Sequence, residues 1–188
     1  MMPSDPPLPS SLESQEKLET ALQSAWNRGA AESSPLALIL VEFDKPETAV
    51  GVGILERALR VHCARTHDVF LRRSNDEFVA VLPDTSPAGA RHVGEQIIEA
   101  MHAEDTDHAQ SVSIGVAVSV PDDHRDSSEL LCRAESALKA AHDNGGDRVV
   151  GGGAARTEPS ATPKSAFAHL RELLPGRKKK SNQKRSTD

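Results

Sequence analysis

Apolar residues recur along this chain with two different periods. Leu36–Phe43 is a near-continuous apolar run of strand length, the pattern of a strand buried on both faces. Residues 69–71 and 78–82 are two short β-rich runs, and the polar quartet Ser74-Asn75-Asp76-Glu77 between them signals a hairpin turn. Residues 110–120 alternate apolar and polar side chains, which predicts a strand with one wet face. Four other segments follow the helical period. Leu18, Leu22 and Trp26 fall at i, i+4 and i+8, with Gly29 as the expected end of that helix. Residues 52–63 place Val52, Leu55, Leu59 and Cys63 on one face. Residues 87–102 turn Ala90, Val93, Ile97 and Ile98 inward behind a proline in the first turn. Residues 127–143 bury Leu130, Leu131, Ala134, Ala137 and Leu138.

At 188 residues the chain accommodates one domain of ordinary size with tails, enough to form a core without staples. Residues 1–9 are rich in Pro and Ser and read as disordered. A domain over residues 35–150 follows the leading helix in residues 1–34, and residues 151–164 read as a flexible linker. Residues 165–188 combine a short amphipathic helix, with Phe167, Leu170, Leu173 and Leu174 on one side, and a basic tail. Such a peptide is too short to be stable alone and invites a protein groove, a membrane surface or the domain itself.

The formal net charge is −6, yet residues 177–185 hold six of the 22 basic side chains, so the body is more acidic than the total. That balance argues against bulk nucleic-acid binding. Cys63 and Cys132 and the eight histidines show no metal-ligand spacing, so zinc is not expected. With neither a spanning apolar run nor a secretory pattern, the chain is expected in the cytoplasm.

The hairpin carries the most specific signal. Ser74-Asn75-Asp76-Glu77-Phe78 resembles the Gly-Gly-Asp-Glu-Phe motif of the GGDEF family, bacterial diguanylate cyclases that make cyclic di-GMP from two GTP molecules. Three further segments support the resemblance: residues 36–44, like the family's first strand; Ser111-Val-Ser-Ile-Gly115-Val, like a later strand; and residues 130–138, like its last helix. It implies an α/β (α+β) domain with a ferredoxin-like core, a central largely antiparallel sheet of about five strands flanked by helices.

The resemblance also implies a site, and this sequence departs from it at most catalytic positions. The family's first strand ends Asp-x-Asp and helps hold magnesium with the middle carboxylate of the motif; here Glu42, Phe43 and Asp44 stand there, leaving Glu42 and Asp76 as weak metal candidates. The following family segment supplies an Asn and an Asp that read guanine, but no Asn or Asp lies between Lys45 and Ala64. Unmatched donors and acceptors on a purine edge cost orders of magnitude in selectivity. The two glycines of the motif give positive φ and admit triphosphate to the backbone. Ser74 and Asn75 carry side chains instead, so the turn is expected to survive without its phosphate floor. A Lys and an Arg that face triphosphate in the family are replaced by His142 and Gly146. Phosphoryl transfer depends on positioning and charge neutralisation, so catalysis is not expected; Ser74, Asn75, Asp76, Glu77 and Phe78 are read as remnants.

One family feature is retained. Arg65-Thr66-His67-Asp68 matches the family's inhibitory R-x-x-D tetrad, five residues before the motif, where the product cyclic di-GMP binds. A guanidinium fork can donate to guanine O6 and N7, and a carboxylate can accept from its N1 and N2 hydrogens. Arg91 and Gln96 lie near where the family adds a second contact. The expected function is a catalytically inactive cyclic di-GMP effector with no other cofactor. It would signal to a protein partner through the leading helix or the tail, with a ligand-bridged homodimer as one form. The alternatives are a nucleotide-independent interaction scaffold and a residual cyclase.

Overall fold

A computed structural model describes residues 11–104, 110–122 and 126–154. The expectations for residues 1–9, for the linker beyond 154, and for the amphipathic helix and basic tail lie outside these. Nine elements run in the order α1 (Ser11–Glu32), β1 (Leu36–Phe43), α2 (Ala49–His62), β2 (Val69–Arg72), β3 (Glu77–Pro83), α3 (Pro87–Glu104), β4 (Val112–Ser119), α4 (Ser127–Asp143) and β5 (Val149–Ala154). The five strands form one sheet in the order β2-β3-β1-β4-β5. All pairs are antiparallel except β4 with β5.

The sheet carries an apolar layer on each face. Ala37, Ile39, Val41 and Phe43 of β1 join Phe78, Ala80 and Leu82 of β3 under α2 and α3. Leu36, Leu38 and Leu40 point the other way, with Val79 and Val81, to meet α1 and α4. This two-sided burial is what the continuous apolar run of β1 predicts. The run sits at the centre of the sheet.

Residues 110–120 were expected to have a wet face, yet every residue of β4 is buried. Its alternate positions Ser113, Gly115 and Ala117 are small because α4 rests on them. A Cβ added to Gly115 would lie 2.3 Å from the carbonyl oxygen of Ala134 and 2.4 Å from the nitrogen of Leu138. Small residues here admit a helix rather than water.

Three predicted boundaries also move. Gly29 was expected to end α1, but the helix continues to Glu32 and turns at Ser33, whose φ is 52°. Gly29 is small for packing, since a Cβ there would meet Pro121 at 2.8 Å. Leu18, Leu22 and Trp26 of α1 are buried against the domain, with α1 lying across β2 and β3. The linker was expected from residue 151, but Gly151 and Gly152 belong to β5. Their φ angles of 99° and 83° suit glycine, and a Cβ on Gly151 would sit 2.0 Å from the oxygen of Val116. A β-bulge-like shift between Val116 and Val118 falls at this point. Helix α2 begins three residues earlier than read from sequence, where the Thr48 hydroxyl accepts from the Gly51 amide at 3.0 Å.

Two variants test this packing. Gly115→Ala is expected to destabilise by about 3 kcal/mol or more, because backbone of α4 must move. Leu22→Ala is expected to cost about 2–5 kcal/mol, the range for a filled core site. Urea unfolding followed by far-UV circular dichroism measures both; a change under about 1 kcal/mol in Leu22→Ala would show that α1 is not part of the core.

Candidate functional site

Chemistry-bearing residues collect at the two opposite ends of the sheet. The hairpin, the end of β1 and the loop after α4 meet at one end. The α2–β2 turn and the β3–α3 turn meet at the other. This separation follows from the register, in which Glu42 faces Glu77 while Leu36 faces Pro83.

At the first end, β2 and β3 are closed by Ser74, Asn75 and Asp76. The Arg73 and Ser74 amides both donate to the Glu77 carbonyl, at 2.8 and 3.2 Å. The Ser74 hydroxyl donates to Asp76 Oδ1 at 2.5 Å and accepts from the Glu77 amide at 3.2 Å. Neither Ser74 nor Asn75 takes positive φ; among the described non-glycine residues only Ser33, Asp84 and Asp147 do. The left-handed turn expected from the motif is therefore absent, because a serine side chain closes a wider bend. Arg72 turns back over it, donating through Nε to the Ser74 carbonyl at 3.0 Å and through Nη2 to that of Asn75. Its guanidinium stands 5.5 Å from the Phe78 ring centroid.

Arg73 ties the bend to the rest of the domain. Its Nη1 pairs with Glu77 at 3.0 Å and its Nη2 with Glu135 of α4 at 2.9 Å. Sequence reasoning used Arg73 only as a spacer and missed Glu135 altogether, although a basic residue directly before the bend was a usable signal. Burial raises the Glu77 carboxyl, and although Arg73 pulls it down, Glu42, Glu135 and Asp76 add to burial and leave it at about 7.

The end of β1 is equally occupied. Asp44 accepts from the Ser113 hydroxyl at 2.5 Å and from the Asp147 amide at 3.0 Å. His142 stands between the two carboxylates, with Nδ1 3.3 Å from Asp44 and Nε2 3.6 Å from Glu42. That Nε2 is buried without a hydrogen bond. Gly146 lies so close that a Cβ would meet Asp44 Oδ1 at 2.6 Å. Among the described residues no group of three His, Cys, Asp or Glu side chains could hold a metal ion. Magnesium requires carboxylate oxygens around a nearly octahedral shell. Glu42 faces an imidazole, Asp44 already accepts from Ser113 and the Asp147 amide, and Asp76 accepts from Ser74, so the donor set does not fit that ion.

The other end presents Arg65 and Asp68. Helix α2 stops at His62, and Cys63 caps it through its amide on the Leu59 carbonyl. The tetrad then closes on itself: the Arg65 amide donates to Asp68 Oδ2 at 3.0 Å, and the Asp68 amide donates to the Arg65 carbonyl at 3.0 Å. The exposed Arg65 side chain makes no ion pair among the described residues, and its Nη1 donates to Thr85 Oγ1 at 3.3 Å. Burial, and secondarily the Asp68 charge, push the Cys63 thiol up to about 12, so it stays protonated. Arg91 and Gln96 are not joined to this turn. They pair with Glu95 and Glu99 on their own helix and line an open groove of about 510 Å³ between α3 and β5 that includes His102, Asp147 and Arg148.

The arrangement matches known proteins. The family described as diguanylate cyclase, GGDEF domain, matches residues 55–148, half of the chain, and the chain belongs to the GGDEF domain family. Its fold is similar to that of the active GGEEF domain of a diguanylate cyclase from Vibrio cholerae, with a TM-score of 0.64 and 22% identity over 76% of this chain and 97% of that one. It is also similar to the GGDEF domain of DgcB from Caulobacter crescentus, solved in complex with c-di-GMP, with a TM-score of 0.57 and 16% identity over 73% and 89% of the two chains. A third likeness is to the diguanylate cyclase SiaD of Pseudomonas aeruginosa, solved with its activator SiaC, with a TM-score of 0.62 and 20% identity over 72% and 56%. No curated protein matches the sequence. Among the described residues no helix is long and apolar enough to cross a membrane.

The raised Glu77 carboxyl makes stability depend on pH. An ordinary glutamate titrates at 4.5 and this one at about 7, so protonation favours the fold. The contribution is complete below 4.5 and is lost as pH rises through 7. Wild-type stability to urea is expected to fall between pH 5 and pH 8, and Glu77→Gln to remove on the order of 2 kcal/mol of that fall. Identical pH profiles for the two proteins would contradict the assignment.

Proposed function

We propose that this GGDEF-family chain is a cyclic di-GMP effector that does not synthesise the dinucleotide. The observation that carries the reading is the contrast between the two ends of the sheet. At the hairpin, the basic side chains Arg72 and Arg73 and the His142 imidazole already face protein neighbours: Arg72 the bend carbonyls, Arg73 two glutamates, and His142 the carboxylates of Glu42 and Asp44. Phosphoryl transfer relies on positive charge aimed at the transferring group, and here it is aimed inward.

At the opposite end Arg65 carries an exposed guanidinium with no carboxylate partner among the described residues. The Asp68 cap on its amide fixes the backbone from which that side chain projects. A guanidinium fork and an adjacent carboxylate oxygen suit the O6/N7 and N1/N2 edges of guanine. The ligand class is supported by DgcB, whose GGDEF domain was solved with c-di-GMP, and the idea of a protein partner by SiaD with its activator SiaC. Ligand binding would change how α1 or the tail engages that partner, and two protomers sharing the ligand are one form of the bound state.

Calorimetry with cyclic di-GMP tests the binding arm. Wild type is expected to bind, and Arg65→Ala to lose roughly 100-fold in affinity with its charge-assisted bonds. Absence of heat with either protein would remove the effector reading and leave a nucleotide-independent scaffold. Incubation with GTP and Mg²⁺ tests the other arm: no cyclic product is expected by chromatography, and turnover would refute the inactive reading.

A further inference from the structure

The side chain that orients Arg65 comes from outside its tetrad. Thr85 follows Asp84, a residue held at a φ of 51° in the β3–α3 turn, and is only 4% exposed. Its amide donates to the Pro35 carbonyl at 3.3 Å, at the start of β1. Its hydroxyl donates to the Pro83 carbonyl at 3.0 Å. A threonine hydroxyl has a single proton, so once that proton is given to Pro83 the oxygen can only accept. It therefore faces outward as a fixed acceptor, which suits a guanidinium and repels a phosphate or carboxylate. Arg65 Nη1 lies 3.3 Å from it.

The geometry points to Thr85 as a positioning residue for ligand recognition by Arg65. This inference rests on the cyclic di-GMP reading. Holding Nη1 leaves the Nε and Nη2 edge as the planar fork that a guanine O6/N7 pair requires. It also removes rotamer freedom from a long exposed side chain before the ligand arrives, which lowers the entropic cost of binding. The carbonyls of Pro83 and Pro35 fix Thr85, so the fork takes its direction from the sheet rather than from the flexible side chain that bears it.

Calorimetry of the full chain with cyclic di-GMP separates this role from a general loss of structure. Thr85→Val is expected to bind roughly ten-fold more weakly than wild type, while Thr85→Ser, which keeps the hydroxyl, binds close to wild type. In an Arg65→Lys background, which keeps the charge but has no fork, Thr85→Val is expected to change affinity by less than about two-fold, since the two residues act as one unit. Should Thr85→Val fail to fold, Thr85→Ala, which retains the amide bond to Pro35, takes its place. Wild-type affinity in the valine or alanine variant overturns the inference but leaves the ligand reading standing. An equal loss in Thr85→Ser, or a full ten-fold loss in the Arg65→Lys background, overturns it as well. No binding by wild type overturns the ligand reading and this inference with it.

Discussion

The close seat of α4 on β4 governs the hairpin end of the domain. Because Gly115 has no side chain, the backbone of Ala134 and Leu138 settles directly on the strand. That contact sets the height of the whole helix above the sheet. At this height Glu135 reaches across to Arg73, and one turn beyond Leu138 the ring of His142 drops between Glu42 and Asp44. A larger residue at position 115 would lift the helix and separate these pairs together. The interior is packed too densely for the helix to rise at one point alone.

The same contacts explain the electrostatics there. One guanidinium, Arg73, faces Glu77 and Glu135, with Glu42 and Asp76 also acting on Glu77. Burial is the larger cause that holds the Glu77 carboxyl up; the Arg73 charge lowers it, and Glu42, Glu135 and Asp76 raise it further. In a GGDEF domain that bound a nucleotide and magnesium here, added cations would ease the crowding. In this chain the protein's own Arg73 stands in that region, a partial neutralisation built from a side chain alone.

The fold was legible in the sequence because its strongest signals are collective. A near-continuous apolar run of eight residues reads as a strand buried on both faces, and the helical stripe of Leu18, Leu22 and Trp26 needs an apolar surface to lie on. What misled was composition read one residue at a time. Ser113, Gly115 and Ala117 look like a wet face because small residues serve water and close helix contact alike, and only the partner element tells them apart. Gly29 and Gly151 misled for a related reason: each was read as an interruption, and each is a close approach within an element. At the site, the tetrad Arg65 to Asp68 was visible from its spacing, but Thr85 and Glu135 were not. Their partners lie 20 and 62 residues away, beyond the reach of any local pattern.

The charges at the two ends of the sheet are screened from each other, which gives the functional reading its force. Strand β3 joins them through Glu77–Pro83, a span of about 20 Å at the rise of an extended chain. That exceeds the screening length of physiological salt, about 8 Å, by more than a factor of two, so charge changes at the hairpin are hardly felt at Arg65 through solvent. The strand between is held on both faces by apolar layers and paired on both edges, so its own course is fixed independently of the bend. Substituting the bend with Ser74 and Asn75, or placing His142 against Asp44, therefore leaves the α2–β2 turn free to keep its own geometry. A domain built this way can change the charges of one end without altering the field at the other, because the central sheet holds the two ends more than two screening lengths apart.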